Sequence, residues 1–300
     1  MLNNFSEIRQ AARGISDARV AIPMGHDVSS IVALITAFEE DIASGVIVGP
    51  AAGVGDSLEE LGRKLPDGIE IVNTEDPEEA ALEAVRLVRS GEASILMKGM
   101  LKTSMFQKAL LDKETGLRTG RILSHVAVLH APLQDRLVAV SDGGMNIDPD
   151  EEAIRQIAMN AAGVIMKLGA EKPLVALLAA IEVPNEKMPK TVMFAEIAAK
   201  GIPGLIVEGP VAVDGAMDTE SAAIKGMDGE VAGRANVLIT PDIACGNIFV
   251  KGIMYMTDAE VGGLIAGAAA PVVMLSRSDK ARTKLNSLAL GVIVSGGSNG

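Results

Sequence analysis

Tryptophan is absent from the 300 residues, and the aromatic side chains amount to one tyrosine and five phenylalanines. Single-strand nucleic-acid binders stack bases on aromatic faces, so this scarcity argues against such a surface. Positive charge is also short. Twenty-seven Lys and Arg stand against 39 Asp and Glu, a net charge of −12. So acidic a body repels a phosphate backbone, and nucleic acid is not an expected partner. Any anionic substrate must be held by a local basic pocket working against the global field. One cysteine cannot form a disulfide within the chain or build a cysteine zinc site, and it fits a reducing compartment. The longest apolar stretch, Val261 to Leu275, is broken by glycines and Pro271 and falls short of the roughly 20 residues of a spanning helix. The N-terminus, MLNNFSEIRQ, lacks the charged-then-apolar order of a secretory signal. The expectation is a soluble, cytoplasmic protein.

Familiar catalytic motifs are missing as well. There is no HExxH, no GxSxG and no kinase signature. Gly49, Gly53 and Gly55 make a glycine-rich turn, but Leu58 breaks the GxGxxG spacing. Lys102-Thr103 follows Leu101, where a P-loop needs glycine. His26, His125 and His130 are too scattered to predict a metal site, and none is assigned. Cys245, in PDIACGN, reads either as a small buried side chain or as a thiol activated at a helix start.

Hydrophobic residues make up 48% of the chain, so the core is built from Ala, Val, Ile, Leu and Met. Short apolar runs recur at Arg19–Pro23, Val46–Val48, Ile69–Val72, Ser94–Met97, His125–Leu129, Leu137–Val140, Leu174–Leu178, Leu205–Val207, Asn236–Ile239 and Val272–Leu275. Apolar on both faces and bounded by turn residues, they read as buried parallel strands. Between many of them lie segments of helical period. Asp76-Pro77-Glu78-Glu79 and Asp148-Pro149-Asp150-Glu151-Glu152 are the clearest helix starts, each with a capping residue, a proline and first-turn acids. Alternating strands and helices indicate an α/β protein with mainly parallel sheets. Two runs flanking Ala131–Asp135 suggest one antiparallel hairpin. The stretch 141–150, SDGGMNIDPD, is the best candidate for a domain crossing.

Four segments form a recognisable set. They are LMKG at 96–99, with Lys102-Thr103 and GLRTGRILSH at 116–125 following; SDGGMNI at 141–147; VAGRANVLITPD at 231–242, running on to Gly246-Asn247; and PVVMLSRSD at 271–279. Together these resemble the phosphate acetyl/butyryltransferase family, nearest its butyryl branch. The resemblance covers about residues 94–290; the first 90 match only in strand–helix rhythm and length. It implies reversible transfer of a short acyl group, acyl-CoA plus phosphate giving acyl phosphate plus CoA. It also implies the two-domain α/β/α fold of the isocitrate and isopropylmalate dehydrogenases, with an interdomain cleft. The implied domains are 1–144 with 272–300, and 145–271, the second carrying the contact of a homodimer. CoA enters as a substrate, and the chemistry needs no metal or redox cofactor.

By this resemblance Ser276 and Arg277 bind the acyl phosphate: a guanidinium fork and a hydroxyl can meet one phosphoryl group. Lys98, Gly99, Thr103, Arg121, Ser124 and His125 are assigned to substrate binding, as are Asp142, Asn146, Asn236, Asp242 and Asn247. Asp142 and Asn146, in a Gly-Gly loop, either let backbone amides approach a ligand or cap a turn. Asp242 either serves the site or caps the helix that follows, and His125 either faces the cleft or packs beneath it. In the acetyl branch an Asp lies six residues after the site arginine and serves as base for the CoA thiol; Thr283 stands there instead. Asp279 is the nearest acid, a candidate for base or for helix cap. Three alternatives stay open: a metal- and NAD-dependent dehydrogenase on the same scaffold, a non-catalytic CoA-binding subunit, and a family member using another acyl group.

Overall fold

The computed structural model describes residues 1–15, 17–274 and 279–296. In chain order the elements are α1 (Phe5–Ala12), β1 (Arg19–Pro23), α2 (Val28–Glu39), β2 (Ser44–Gly49), α3 (Ala51–Leu61), β3 (Ile69–Asn73), α4 (Pro77–Arg89), β4 (Ile95–Met97) and α5 (Thr103–Leu110). There follow β5 (Ser124–His130), β6 (Val138–Ser141), α6 (Glu151–Lys167), β7 (Leu174–Leu178), α7 (Pro189–Lys200), β8 (Ile206–Val211), α8 (Val213–Met217), α9 (Thr219–Ile224), β9 (Val237–Ile239) and α10 (Ile243–Met256). The chain closes with β10 (Glu260–Ala266), β11 (Val272–Val273) and α11 (Ala281–Gly296).

These elements form two compact units, Phe5–Arg121 with Gly262–Gly300, and Met1–Asn4 with Ile122–Val261. In the first, the strand order is β3-β2-β1-β4-β11-β10. All neighbours there are parallel except β10, which runs antiparallel to β11. In the second, the order is β5-β6-β9-β7-β8, parallel apart from the β5–β6 hairpin. The central strands β1, β2 and β7 are buried beyond their first residue, because helices cover both faces. The edge strands β3 and β8 are buried less completely. The core of the second unit is aliphatic, with Leu129, Val140, Leu178, Val211, Val231, Leu238 and Val250 packed together.

Both expected helix starts are capped. Asp76 accepts from the backbone N–H of Glu78 at 2.8 Å, with Pro77 at the first helical position, and Asp150 accepts from Ala153 N–H at 2.9 Å. Such caps satisfy amides that have no partner within the helix. The hairpin also forms, with Val128 facing Ala139.

Two features differ from the sequence reading. Strand β10 lies in a stretch read only as a broken apolar run; Gly262 and Gly263 hide its alternation, since glycine shows no side-chain pattern. The units change over at Arg121/Ile122 and Val261/Gly262, upstream of the expected 144/145 and 271/272 boundaries. The reason is the hairpin: β6 pairs with β9, so the 141–150 stretch lies within one unit.

Candidate functional site

In open α/β sheets, ligands bind outside the carboxyl ends of parallel strands. In the first unit β4 and β11 run side by side, Met97 opposite Val273, and Lys98 N–H donates to Val273 O at 2.9 Å. Lys98 therefore leaves its strand at the same edge as the chain that runs on from β11. Ser276 and Arg277 lie outside the described residues. Lys98 is half-buried, and its Nζ donates to Gly99 O at 3.3 Å. Gly99 tolerates no side chain, because a Cβ would stand 2.4 Å from Pro23 O and 2.6 Å from Met24 O. That close approach ties the ends of β1 and β4, and Met100 N–H donates to Met24 O at 2.8 Å. Thr103 is exposed as the first residue of α5, and Arg121 is exposed at the end of this unit's first segment.

Asp279 is half-buried. Lys280 holds the position before α11 and its carbonyl accepts from Lys284 N–H at 3.2 Å. Asp279 lies two residues before α11. Thr283 sits in the first turn of α11, where its carbonyl accepts from Ser287 Oγ.

In the second unit β6 and β9 end together, and their loops interlock. Asp142, 2% exposed, turns its whole carboxylate inward. Oδ1 accepts from the N–H groups of His125 (3.2 Å), Gly144 (2.8 Å) and Met145 (3.0 Å). Oδ2 accepts from Asn146 N–H (3.0 Å) and Asn146 Nδ2 (2.5 Å). The amides of Gly144, Met145 and Asn146 are therefore committed to Asp142, and Asn146 Nδ2 also donates to Leu123 O at 2.9 Å. Asn247 Nδ2 closes the loop onto α10 through Gly143 O at 3.0 Å.

Of the other residues assigned here, several hold the scaffold. Ser124 is fully buried and accepts from Asn160 Nδ2 at 2.9 Å. Asn236 locks β7 beside β9 by accepting from Leu174 N–H at 2.8 Å. Asp242 caps α10, accepting from Cys245 N–H at 2.8 Å. His125 is half-buried beside Gly144, its carbonyl accepting from Ser141 Oγ at 2.8 Å. The sequence reading missed Thr240, 3% exposed, whose hydroxyl donates to Asp142 O at 3.1 Å; its place two residues before a capping Asp was the available signal. Burial, together with Asp242 as acceptor and neighbouring charge, raises the Cys245 thiol pKa. A raised pKa opposes a nucleophilic role.

A cavity of about 850 Å³ lies elsewhere in the first unit, along α4. Asp76, Glu78, Glu79, Glu83 and Glu114 line it, and Arg86 there is already bonded to Glu83 and Glu92. That rim repels a polyanion. Among the described residues no group of three or more His, Cys, Asp and Glu is placed to hold a metal ion, and no helix is long and apolar enough to cross a membrane.

An α/β scaffold with Lys98 at a strand end and a pinned Gly-Gly loop falls in an acyltransferase class once its relatives are set beside it. Residues 75–292 match the family described as phosphate acetyl/butaryl transferase. The chain is 38% identical over 300 residues to the phosphate butyryltransferase of Clostridium acetobutylicum, covering 99% of each. It is 45% identical over 231 residues to the probable phosphate butyryltransferase of Bacillus subtilis, covering 76% of this chain and 77% of that one. Among solved structures it is similar to a branched-chain phosphotransacylase from Enterococcus faecalis, with TM-score 0.83 and 32% identity over 93% of this chain and 99% of that one. The chain belongs to the phosphate acetyl/butyryltransferase family.

Proposed function

We propose that this chain moves a short acyl group reversibly between CoA and inorganic phosphate, with a four-carbon chain preferred over acetyl. One observation carries the reading: the four motif segments occur in order within a chain that matches the family from residue 75 to residue 292. Thr283, in place of the acetyl-branch carboxylate, supports the butyryl side.

In the forward direction a phosphate oxygen attacks the thioester carbonyl and CoA leaves as its thiolate. In reverse the CoA thiol loses its proton and attacks the acyl phosphate carbonyl, whose C–O bond to the phosphoryl group breaks so that inorganic phosphate leaves. Both directions build negative charge on the carbonyl oxygen, which fixed donors and cations stabilise. Ser276 and Arg277 hold the phosphoryl group in this reading. Lys98 adds charge at the β4 edge, and Thr103, Arg121, His125 and Asn247 contribute to substrate contact. Asp142, Asn146, Asn236, Asp242 and Ser124 act by fixing the loops and strands around them.

The finer architecture, the two-domain fold of the isocitrate and isopropylmalate dehydrogenases, belongs to the same proposal, as do a reaction without metal or redox cofactor and a cytoplasmic setting. A homodimer completes it. Ile248, Tyr255 and Met256 of α10 are exposed, the kind of face a second copy covers.

The test is a series of C2 to C5 acyl-CoAs with phosphate, following release of the CoA thiol. Phosphate-dependent release, fastest at C4, is expected. A folded protein inactive on every member overturns the reading.

A further inference from the structure

Lys284, in the first turn of α11, is 5% exposed. Charged side chains this deeply buried are rare unless paired. Its ammonium donates to the hydroxyl of Ser29. Ser29 Oγ in turn donates to Asp27 Oδ1 at 2.7 Å, and the same oxygen accepts from Ser30 N–H at 3.0 Å. A relay thus runs from Lys284 through Ser29 to Asp27, the cap of α2. Burial disfavours the Asp27 carboxylate, but the Ser29 and Ser30 donors and the nearby Lys284 charge outweigh it and keep its pKa lowered. Asp27 is therefore a lasting anion that fixes Ser29 and, through it, the ammonium.

An ammonium carries three N–H donors. One is used by Ser29, and the other two meet no acceptor among the described residues. A buried cation whose direct partner is a neutral hydroxyl is costly to keep. Its location gives the cost a use. Ser29 opens α2 just after the carboxyl end of β1, the side on which α/β sheets take ligands. Lys284 follows Arg277 by one short stretch of chain. A protein of net charge −12 needs local cations to hold anions.

We propose that Lys284 is a substrate-binding residue whose two spare N–H donors take oxygens of a phosphoryl dianion, with Ser29 and Asp27 holding the ammonium in place. The assignment rests on the acyltransferase reading above. The dianion has two sources, inorganic phosphate and the phosphate groups of CoA.

Lys284→Met keeps length and bulk while removing charge and donors. Calorimetric titrations of the full chain with inorganic phosphate and, separately, with CoA distinguish the sources. Binding in one arm should weaken at least tenfold, with the matching KM raised and the melting temperature unchanged or higher, because losing an under-paired buried charge is often neutral or stabilising. Lys284→Arg should recover part of the affinity. Ser29→Ala, which frees the ammonium without removing it, should weaken the same arm severalfold and covers the case in which Lys284→Met does not fold. Unchanged affinity in both arms for Lys284→Met, or for Ser29→Ala where the first variant is unfolded, overturns the assignment. If the wild-type chain releases CoA normally, only Lys284 is then reassigned. If the wild type binds neither ligand and releases no CoA, the acyltransferase reading falls and takes the assignment with it.

Discussion

The carbonyl oxygen of Asp142 occupies the space that a side chain at Gly246 would need, 2.3 Å from an ideal Cβ, with Thr240 Oγ1 only 2.7 Å away. The end of β6 and the first turn of α10 therefore meet backbone to backbone. Gly246→Ala must push the two loops apart, and backbone yields less readily than a side-chain tip. The expected loss is about 1–3 kcal/mol of stability, read from urea unfolding, with reduced turnover because both loops carry proposed site residues. Wild-type stability would show that the interlock yields freely.

Asp142 itself is the fastener. Its carboxylate accepts five hydrogen bonds from His125, Gly144, Met145 and Asn146. Asparagine would turn an amide donor toward some of those donors and leave them unmatched. Asp142→Asn should lower stability by about 3 kcal/mol and lower kcat more than it raises either KM. A large rise in a KM alone, with full stability, would show instead that Asp142 touches substrate.

How far the sequence revealed these arrangements depended on how local the signal was. Asp76 was legible as a cap because a cap, its proline and its first-turn acids are neighbours in the chain; the helix start at 148–152 was legible for the same reason, though its cap is Asp150, after the proline. The β5–β6 hairpin was legible for the same reason. Strand β10 was not, since Gly262 and Gly263 carry no pattern. The loop at Asp142 was visible as a motif, but composition cannot say whether its amides point at a ligand or back at the aspartate. Lys284 could not be found from sequence. Nothing local marks which face of α11 is covered, and its partner Ser29 lies 255 positions away.

Cys245 offers a separate check on the chemistry. Its Sγ is 3.5 Å from Asp242 Oδ2, and burial and that carboxylate together raise its pKa. Little thiolate should form at pH 8, so iodoacetamide should label the exposed thiol slowly. Asp242→Asn keeps a good cap, removes the charge and should speed labelling severalfold. Cys245→Ser should retain activity, because the CoA thiol attacks directly. Inactivity of a folded Cys245→Ser protein would revive an acyl-enzyme route.

Arg277→Ala should lower turnover about a hundredfold, the loss of about 3 kcal/mol typical of removing one charge-stabilising donor. Arg277→Lys should recover little, because an ammonium lacks the planar fork that orients a phosphoryl group. Single-turnover rates with saturating substrates are the measurement. Wild-type rates for Arg277→Ala would remove it from the site.

The remaining question is which group takes the proton of the CoA thiol. Thr283 holds the position of the acetyl-branch carboxylate, but a hydroxyl does not accept a proton near neutral pH without a partner. Asp279 is a carboxylate two residues from Arg277 and two residues before α11. A thiol of pKa about 8.5 is only a few per cent thiolate at pH 7, so a base helps at neutral pH and becomes redundant once the solution ionises the thiol. Asp279→Asn should accordingly slow acyl-CoA formation at pH 7 and regain much of the wild-type rate at pH 9. The pH–rate profile in the direction of acyl-CoA synthesis makes the comparison. A variant slow by the same factor at both pH values would point to a binding or positioning role, and one silent at both would leave the thiol to ionise without a dedicated base.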